Sequence, residues 1–354
     1  FAGFLIWVKR NRIIMKRLLL IAPVFFGYYK DMILEAEELG YHVDYLCDAP
    51  SNSNISKALG RINKKLISGS AKRYYKEKAL PLVEEEQYDK ILLVAGMTCA
   101  FTTDMFCEMR RLQKQAEFIL YQWDSEVNLP YCKSIHPYFD RIYTFEKADA
   151  ERDSIYRFMP TFYTRIYEKI GKKERPVPRY DCFYVGTAHP KKYLEINRMA
   201  EDLKSELPRQ FIYHYIPSVL KYVYHKVTAK EYRYARYRDF QKVKLSGADI
   251  MKGMEVSTCI LDAPQGGQTG LTLRCFECMG AKRKLITTNA DIVNYDFYRA
   301  SNILVYPGTI EERKAFFENP YEELPEELYR KYSMNSWMKR LLSGEESQKL
   351  PENH

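Results

Sequence analysis

Between Val256 and Asn289 the chain reads VSTCILDAPQGGQTGLTLRCFECMGAKRKLITTN, and these residue types could hold an anion next to a hydroxylated ring. A strand over 256–262 leads into a polar, glycine-bearing turn, a helix opening near Gly270, and a second strand over 284–287. Apolar residues at Leu271, Leu273, Cys275, Phe276, Cys278 and Met279 give the middle piece a helical stripe. Such an order brings unpaired backbone N–H groups and the positive end of a helix dipole to one loop, which suits phosphate. Glu277 falls about two turns beyond Gly270, in reach of sugar hydroxyls while the loop holds phosphates. A nucleoside diphosphate with its ribose fits that pairing. An ordinary strand-turn-helix with a solvated glutamate fits it too, and spacing does not separate the two.

Other candidates lie where α/β sheets meet ligands, at the carboxyl ends of strands. Trp123-Asp124-Ser125 closes a strand expected over 117–122. Asp124 there is a general base, a binder of acceptor hydroxyls, or the cap of the next helix. His136, directly before Pro137, is either structural or lines the same edge. Gly27 sits in the turn after the first strand, over 16–23; no GxGxxG is present there, so no dinucleotide is read. After a strand over 181–186, the turn Thr187-Ala188-His189-Pro190 places His189 and Lys191 either against phosphates or in a plain capping turn.

The elements that must position these residues alternate strand and helix twice. At 354 residues the chain has room for two domains, and 46% hydrophobic with 29% charged residues is a globular balance. A strand-turn-helix-strand opening over 16–47, further strands over 90–95 and 141–145, and a Lys-, Arg- and Pro-rich stretch over 167–180 divide it. The expected domains are 15–166, a linker 167–180, and 181–325, with a helix and tail over 326–354. Residues 1–14 precede Met15, are too short in their apolar run to span a bilayer, and are set aside as a possible non-native extension.

Charge and cysteines narrow the function. A net charge of +9 calls for an anionic partner: nucleotide, nucleic acid or an acidic membrane surface. Residues 218–244 interleave basic residues with some of the 30 tyrosines along an expected helical segment, which suits lipid headgroups better than nucleic acid, since no nucleic-acid motif accompanies it. The eight cysteines lack disulfide-framework spacing, and Cys275-x-x-Cys278 has no second pair or histidines to complete a zinc site; core packing is expected there. No metal site is expected. Reduced thiols fit the cytoplasm.

QTGLTLR (268–274) with FECMGAKRKLITTN (276–289) and NYDFYRASNILVY (294–306) resembles the C-terminal half of bacterial GT-B glycosyltransferases that build capsular, exopolysaccharide and lipopolysaccharide chains. WDS (123–125), FDRIYTFEKAD (139–149) and GTAH (186–189) match segments of the same family, so the resemblance covers about residues 16–342. It implies two Rossmann-like domains facing a cleft, with the C-terminal helix crossing back to the first. It also implies metal-independent transfer of a sugar from a nucleotide-sugar to a lipid-linked glycan acceptor, at the inner face of the cytoplasmic membrane. By the resemblance Glu277 holds the donor ribose; Gln268, Thr269, Gly270, Leu271, Thr272, Arg274 and His189 line the donor phosphates. Asp124 becomes the candidate catalytic residue, with Gly27, Trp123, Ser125 and His136 on the acceptor side. Many retaining relatives carry a second glutamate eight residues before the ribose-binding one; this chain has Thr269, which leaves retention and inversion both open. A nucleotide-sugar-binding regulator, a membrane-surface assembly protein and a transferase of polyol phosphate are the other readings.

Overall fold

A computed structural model describes residues 15–50, 68–96, 99–265 and 269–344. Residues 1–14 and Gln268 lie outside the described residues. The described chain divides into two compact units, residues 15–143 with 338–344, and residues 144–337.

Strands β1 (Lys16–Ala22), β2 (Tyr41–Cys47), β3 (Lys90–Ala95), β4 (Glu117–Gln122), β5 (Arg141–Thr144) and β6 (Tyr156–Phe158) form one sheet in the order β2-β1-β3-β4-β5-β6. Strands β7 (Tyr180–Thr187), β8 (Gln210–Tyr215), β9 (Ser257–Asp262), β10 (Lys284–Thr287) and β11 (Ile303–Val305) form the other, in the order β11-β10-β9-β7-β8. The pairings of β1 with β2 and β3, and of β3 with β4, are parallel, as are those of β7 with β8 and β9 and of β10 with β9 and β11. Parallel strands require crossover connections, which cover both faces of a sheet with helices. The apolar runs of the sequence follow from that burial: Leu18 to Ala22 and Ile91 to Ala95 have no exposed surface.

In the second unit the period of two along each strand sorts side chains into two cores. Phe183, Ile260, Leu285 and Ile303 face one core, with Tyr167 and Ile170 of the helix Arg165–Lys172, Ile250 and Met254 of Gly247–Glu255, and Phe276 and Met279 of Leu273–Gly280. Cys182, Tyr184, Cys259, Leu261, Ile286 and Leu304 face the other, with Ile196 and Met199 of the helix Pro190–Asp202 and Phe316 of Ile310–Glu318. Cys275 and Cys278 belong to the first core, and burial pushes both thiols up.

Local structure departs from the sequence reading at three places. Residues 165–172, partly inside the stretch read as linker, are helical because Tyr167 and Ile170 find a core to enter. The stretch 218–244 is one helix, Val219–Thr228, followed by two short 3-10 turns, Lys230–Tyr232 and Tyr237–Asp239. The helix expected to open near Gly270 begins at Leu273, with Thr272 as its N-cap residue.

Helices Arg165–Lys172 and Leu273–Gly280 approach closely at two glycines. A Cβ on Gly171 would lie 2.3 Å from the Gly280 carbonyl oxygen, and one on Gly280 would meet the Tyr163 ring at 2.5 Å. Gly171→Ala therefore forces the helices apart, and its expected cost is about 1–3 kcal/mol, read as a lowered urea midpoint with an unchanged slope.

Candidate functional site

β9 ends in Asp262, whose buried carboxylate organises the carboxyl edge of the second sheet. Its Oδ1 accepts from Lys192 Nζ at 3.0 Å, and its Oδ2 accepts from the Thr272 hydroxyl at 2.6 Å. Burial pulls the Lys192 ammonium down, and the Asp262 charge, the Tyr184 hydroxyl and the hydrogen bond to Asp262 together outweigh it, so Lys192 titrates above the ordinary lysine value. Thr272 uses its hydroxyl on Asp262 and makes no side-chain cap bond of its own. Two residues on, Arg274 pairs with Glu277 at 3.0 Å, one helical turn apart on the same face. Burial works against the Arg274 guanidinium, and Glu277 together with Tyr167, Cys278 and Asp262 outweighs it, so Arg274 titrates above the ordinary arginine value. The Tyr167 hydroxyl, driven up by burial, hydrogen-bonds the same carboxylate.

The loop before that helix is held by a residue that sequence reading missed. Glu146 Oε2 accepts from Thr269 N–H at 3.0 Å, Thr269 Oγ1–H at 2.6 Å and Gly270 N–H at 2.9 Å. Its other oxygen, Oε1, is buried with no hydrogen-bond partner among the described residues. Burial drives the Glu146 carboxyl up, against the pull of those three donors. On the other side Asn289 Nδ2 donates to the carbonyls of Thr269 and Gly270 at 3.1 and 3.4 Å. Gly270 has no room for a side chain, because a Cβ would stand 2.5 Å from the Phe145 carbonyl oxygen. The anion-seeking N–H groups of this loop thus face a carboxylate of the chain itself. Leu271 is core.

A cavity of about 590 Å³ is lined by His189, Pro190, Lys191, Lys230, Glu231 and Gln265 among others. His189 is the N-cap residue of the helix Pro190–Asp202, so the helix's positive end, Lys191 and Lys230 face one space. Lys191 is also 3.6 Å from Glu195, one turn along the helix. His214 of β8, packed among the rings of Tyr184, Tyr193 and Phe240, is held neutral: burial first, then the Lys192 charge, lower its pKa to about 4.

The first unit contains the residues read as acceptor-side. Gly27, with φ of 83°, precedes the helix Tyr28–Glu38 and follows Phe26, which also has positive φ. Half-exposed Phe25 and Phe26 pack at 4.6 Å, and Trp123 lies 6.1 Å from Phe25 and 5.8 Å from Tyr28. Asp124 Oδ1 accepts from Ser125 N–H and Asn128 Nδ2, both at 2.8 Å, the geometry of a turn cap. Ser125 is buried and its Oγ accepts from Asn128 N–H at 3.3 Å. His136 is buried at the start of the 3-10 turn His136–Tyr138.

No protein-family model and no curated protein sequence matches the chain. Among solved structures, UDP-GlcNAc 2-epimerase from Neisseria meningitidis bound to UDP-GlcNAc aligns over 93% of this chain and 99% of its own, at TM-score 0.51 and 11% identity. The fold is the two-domain, Rossmann-like GT-B fold. A glycosyltransferase from Rickettsia africae ESF-5 aligns over 94% of this chain and 95% of its own at TM-score 0.49 and 12% identity. MurG from Acinetobacter baumannii covers 95% and 97% at TM-score 0.40 and 13% identity. Within this GT-B fold the carboxyl ends of β7, β9 and β10 carry the network built on Asp262, and those of β1 and β4 carry the aromatic group around Trp123.

Lys192 and Glu146 carry no local sequence signal. Lys192 is one lysine beside another, and Glu146 lies more than a hundred residues from its partners.

Glu146→Ala leaves two N–H groups without their acceptor and is expected to cost about 1–3 kcal/mol, whereas Glu146→Gln keeps an acceptor and costs less; chemical denaturation of both variants measures the difference. For His214 the folded pKa lies below the ordinary 6.5, so the unfolded chain binds the extra proton. The stability contributed is present above pH 6.5 and is lost as pH falls towards 4. The loss is on the order of 3 kcal/mol across that window, and melting curves should show wild type losing stability relative to His214→Phe as the pH drops.

Proposed function

We propose that the chain is a glycosyltransferase that moves a sugar from a nucleotide-sugar donor to a lipid-linked glycan acceptor. The observation that carries this reading is the cavity at His189 and Lys191, one residue along the chain from Lys192 of the Asp262 network, together with the buried Arg274–Glu277 pair. The donor diphosphate binds in that cavity against Lys191, Lys230 and the helix N-terminus. Glu277, oriented by Arg274 and Tyr167, takes the ribose hydroxyls. Thr269 and Gly270, joined to Glu146, shape the loop beside the sugar, with Gln268 next to them in sequence. Where many retaining relatives have a glutamate, this chain has Thr269, and a carboxylate arrives there from Glu146. Positive groups fixed in advance stabilise the departing diphosphate as its charge develops, which a metal ion does in other enzymes. Acceptor sugar stacks on Phe25, Phe26 and Trp123, and Asp124, held by Ser125 and Asn128, takes the proton of the attacking hydroxyl. Products of this kind belong to bacterial surface polysaccharides, assembled on the cytoplasmic side of the membrane.

The Neisseria structure is an epimerase of UDP-GlcNAc, and its fold supports a second reading, isomerisation of a nucleotide-sugar without transfer. A thermal-shift panel of UDP, GDP, CMP, dTDP and CDP, each with and without EDTA, separates binding from no binding. A ligand at a hundred times its Kd stabilises by about 2.7 kcal/mol. One nucleotide should raise the Tm equally with and without the chelator. Incubation with the matching nucleotide-sugar should release nucleotide diphosphate only when acceptor is present; a change of sugar configuration with no release would establish the epimerase. Asp124→Asn preserves the turn cap and is expected to lower kcat about a hundredfold or more with donor affinity intact, and an unchanged kcat would leave Asp124 as a cap only.

A further inference from the structure

The helix Val219–Thr228 turns its apolar side outward. Tyr222 and buried His225 face the protein, where Tyr222 packs on Tyr232, Tyr237 and Phe240. On the opposite side Leu220, Val223, Tyr224 and Val227 are 81%, 48%, 58% and 80% exposed. Their spacing of i, i+3, i+4 and i+7 makes one continuous stripe, widened by Val219. A helix whose apolar stripe faces water and whose small inward face does the packing needs a second apolar environment to cover it.

Charge identifies that environment. Residues 218–244 carry eight Lys or Arg against two acids, six of the nine net positive charges of the chain. Of the two acids Asp239 is paired with Arg236, and Glu231 is partly buried. Lys221 flanks the stripe with its ammonium 5.4 Å from the Tyr224 ring centre, and exposed Arg233 lies 5.5 Å from the ring of Tyr234, itself 85% exposed. Aliphatic side chains, amphipathic tyrosines and flanking cations are what an anionic bilayer surface accommodates: the chains enter the acyl boundary while the cations meet phosphates. A second copy docked through the same stripe would bring two strongly basic segments together. The helix is ten residues, and among the described residues no helix is long and apolar enough to cross a membrane.

We infer that the helix Val219–Thr228 lies in the plane of an anionic phospholipid surface, with Leu220, Val223, Tyr224 and Val227 inserted and Lys221 and Arg233 on the headgroups. Thr228, Ala229 and Lys230, which continue from the helix, line the cationic cavity, so the docked surface adjoins its mouth. Lys226 acts inward instead. Its ammonium donates to the carbonyls of Tyr232, Arg233 and Ala235 at 3.0, 2.7 and 2.8 Å and ties the following turn to the helix.

Co-sedimentation of the full chain with vesicles of phosphatidylglycerol and phosphatidylcholine, against vesicles of phosphatidylcholine alone, tests this. Wild type should bind the anionic vesicles, less so in high salt, and the neutral ones weakly. Leu220→Glu with Val227→Glu, both at exposed positions, should weaken that binding at least about tenfold with Tm and nucleotide response unchanged. Lys221→Glu should weaken it through charge alone and reduce the salt dependence. Failure of wild type to bind anionic vesicles would overturn the inference, as would undiminished binding by the double variant. A wild-type dimer in light scattering that the double variant converts to monomer would overturn it as well, by assigning the stripe to protein contact.

Discussion

A carboxylate buried at the end of a strand has to be paired, since an isolated charge there would lose far more in desolvation than the fold could return. Asp262 meets that constraint with Lys192 on one oxygen and Thr272 on the other. The two partners come from different helices, so one charge fixes the start of the helix Pro190–Asp202 relative to that of Leu273–Gly280. Four of the residues read as donor-side depend on those two starts: His189 and Lys191 on the first, Arg274 and Glu277 on the second. The close approach at Gly171 and Gly280 then brings Tyr167 to the same carboxylate that Arg274 holds.

The loop between β9 and its following helix is governed by a different balance. Backbone N–H groups at Thr269 and Gly270 are the kind that bind phosphate, and here Glu146 fills them. The consequence is a division of labour inside one unit: Glu146 and Asn289 set the loop's path, while His189, Lys191 and Lys230 line a separate cavity.

Much of the architecture is legible in the sequence, because burial on both faces of a parallel sheet leaves unbroken apolar runs such as Leu18 to Ala22. The turn at 187–190 and the helix carrying Glu277 are legible for the same reason: strand-to-helix order dictates where they must be. What stays hidden is partnership across long separations. Thr272 looks like a phosphate ligand until Asp262 is seen to hold its hydroxyl, and Lys191 looks more interesting than Lys192 although the second is the one inside. The helix start near Gly270 is misplaced by three residues because a glycine suggests a turn but does not say that Phe145 presses against it. Local composition also hides the direction of a helix face, so residues 218–244 read as basic and aromatic without revealing which side chains point outward.

The cluster of Ala188, Ile216, Tyr232, Ala235 and Phe240, with Tyr193, Tyr222 and Tyr237 around it, is separate from the two cores that cover the second sheet. Proteins open locally in contiguous units of unequal stability, and packing set apart from the main cores is where such units are drawn. The segment it anchors includes Thr228 to Glu231 in the cavity wall, while the opposite wall at His189 and Lys191 begins a helix seated in the larger core. The two walls of the cavity therefore rest on different packing, a small aromatic cluster under one and a sheet-covering core under the other, with Ala188 and Tyr193 joining them.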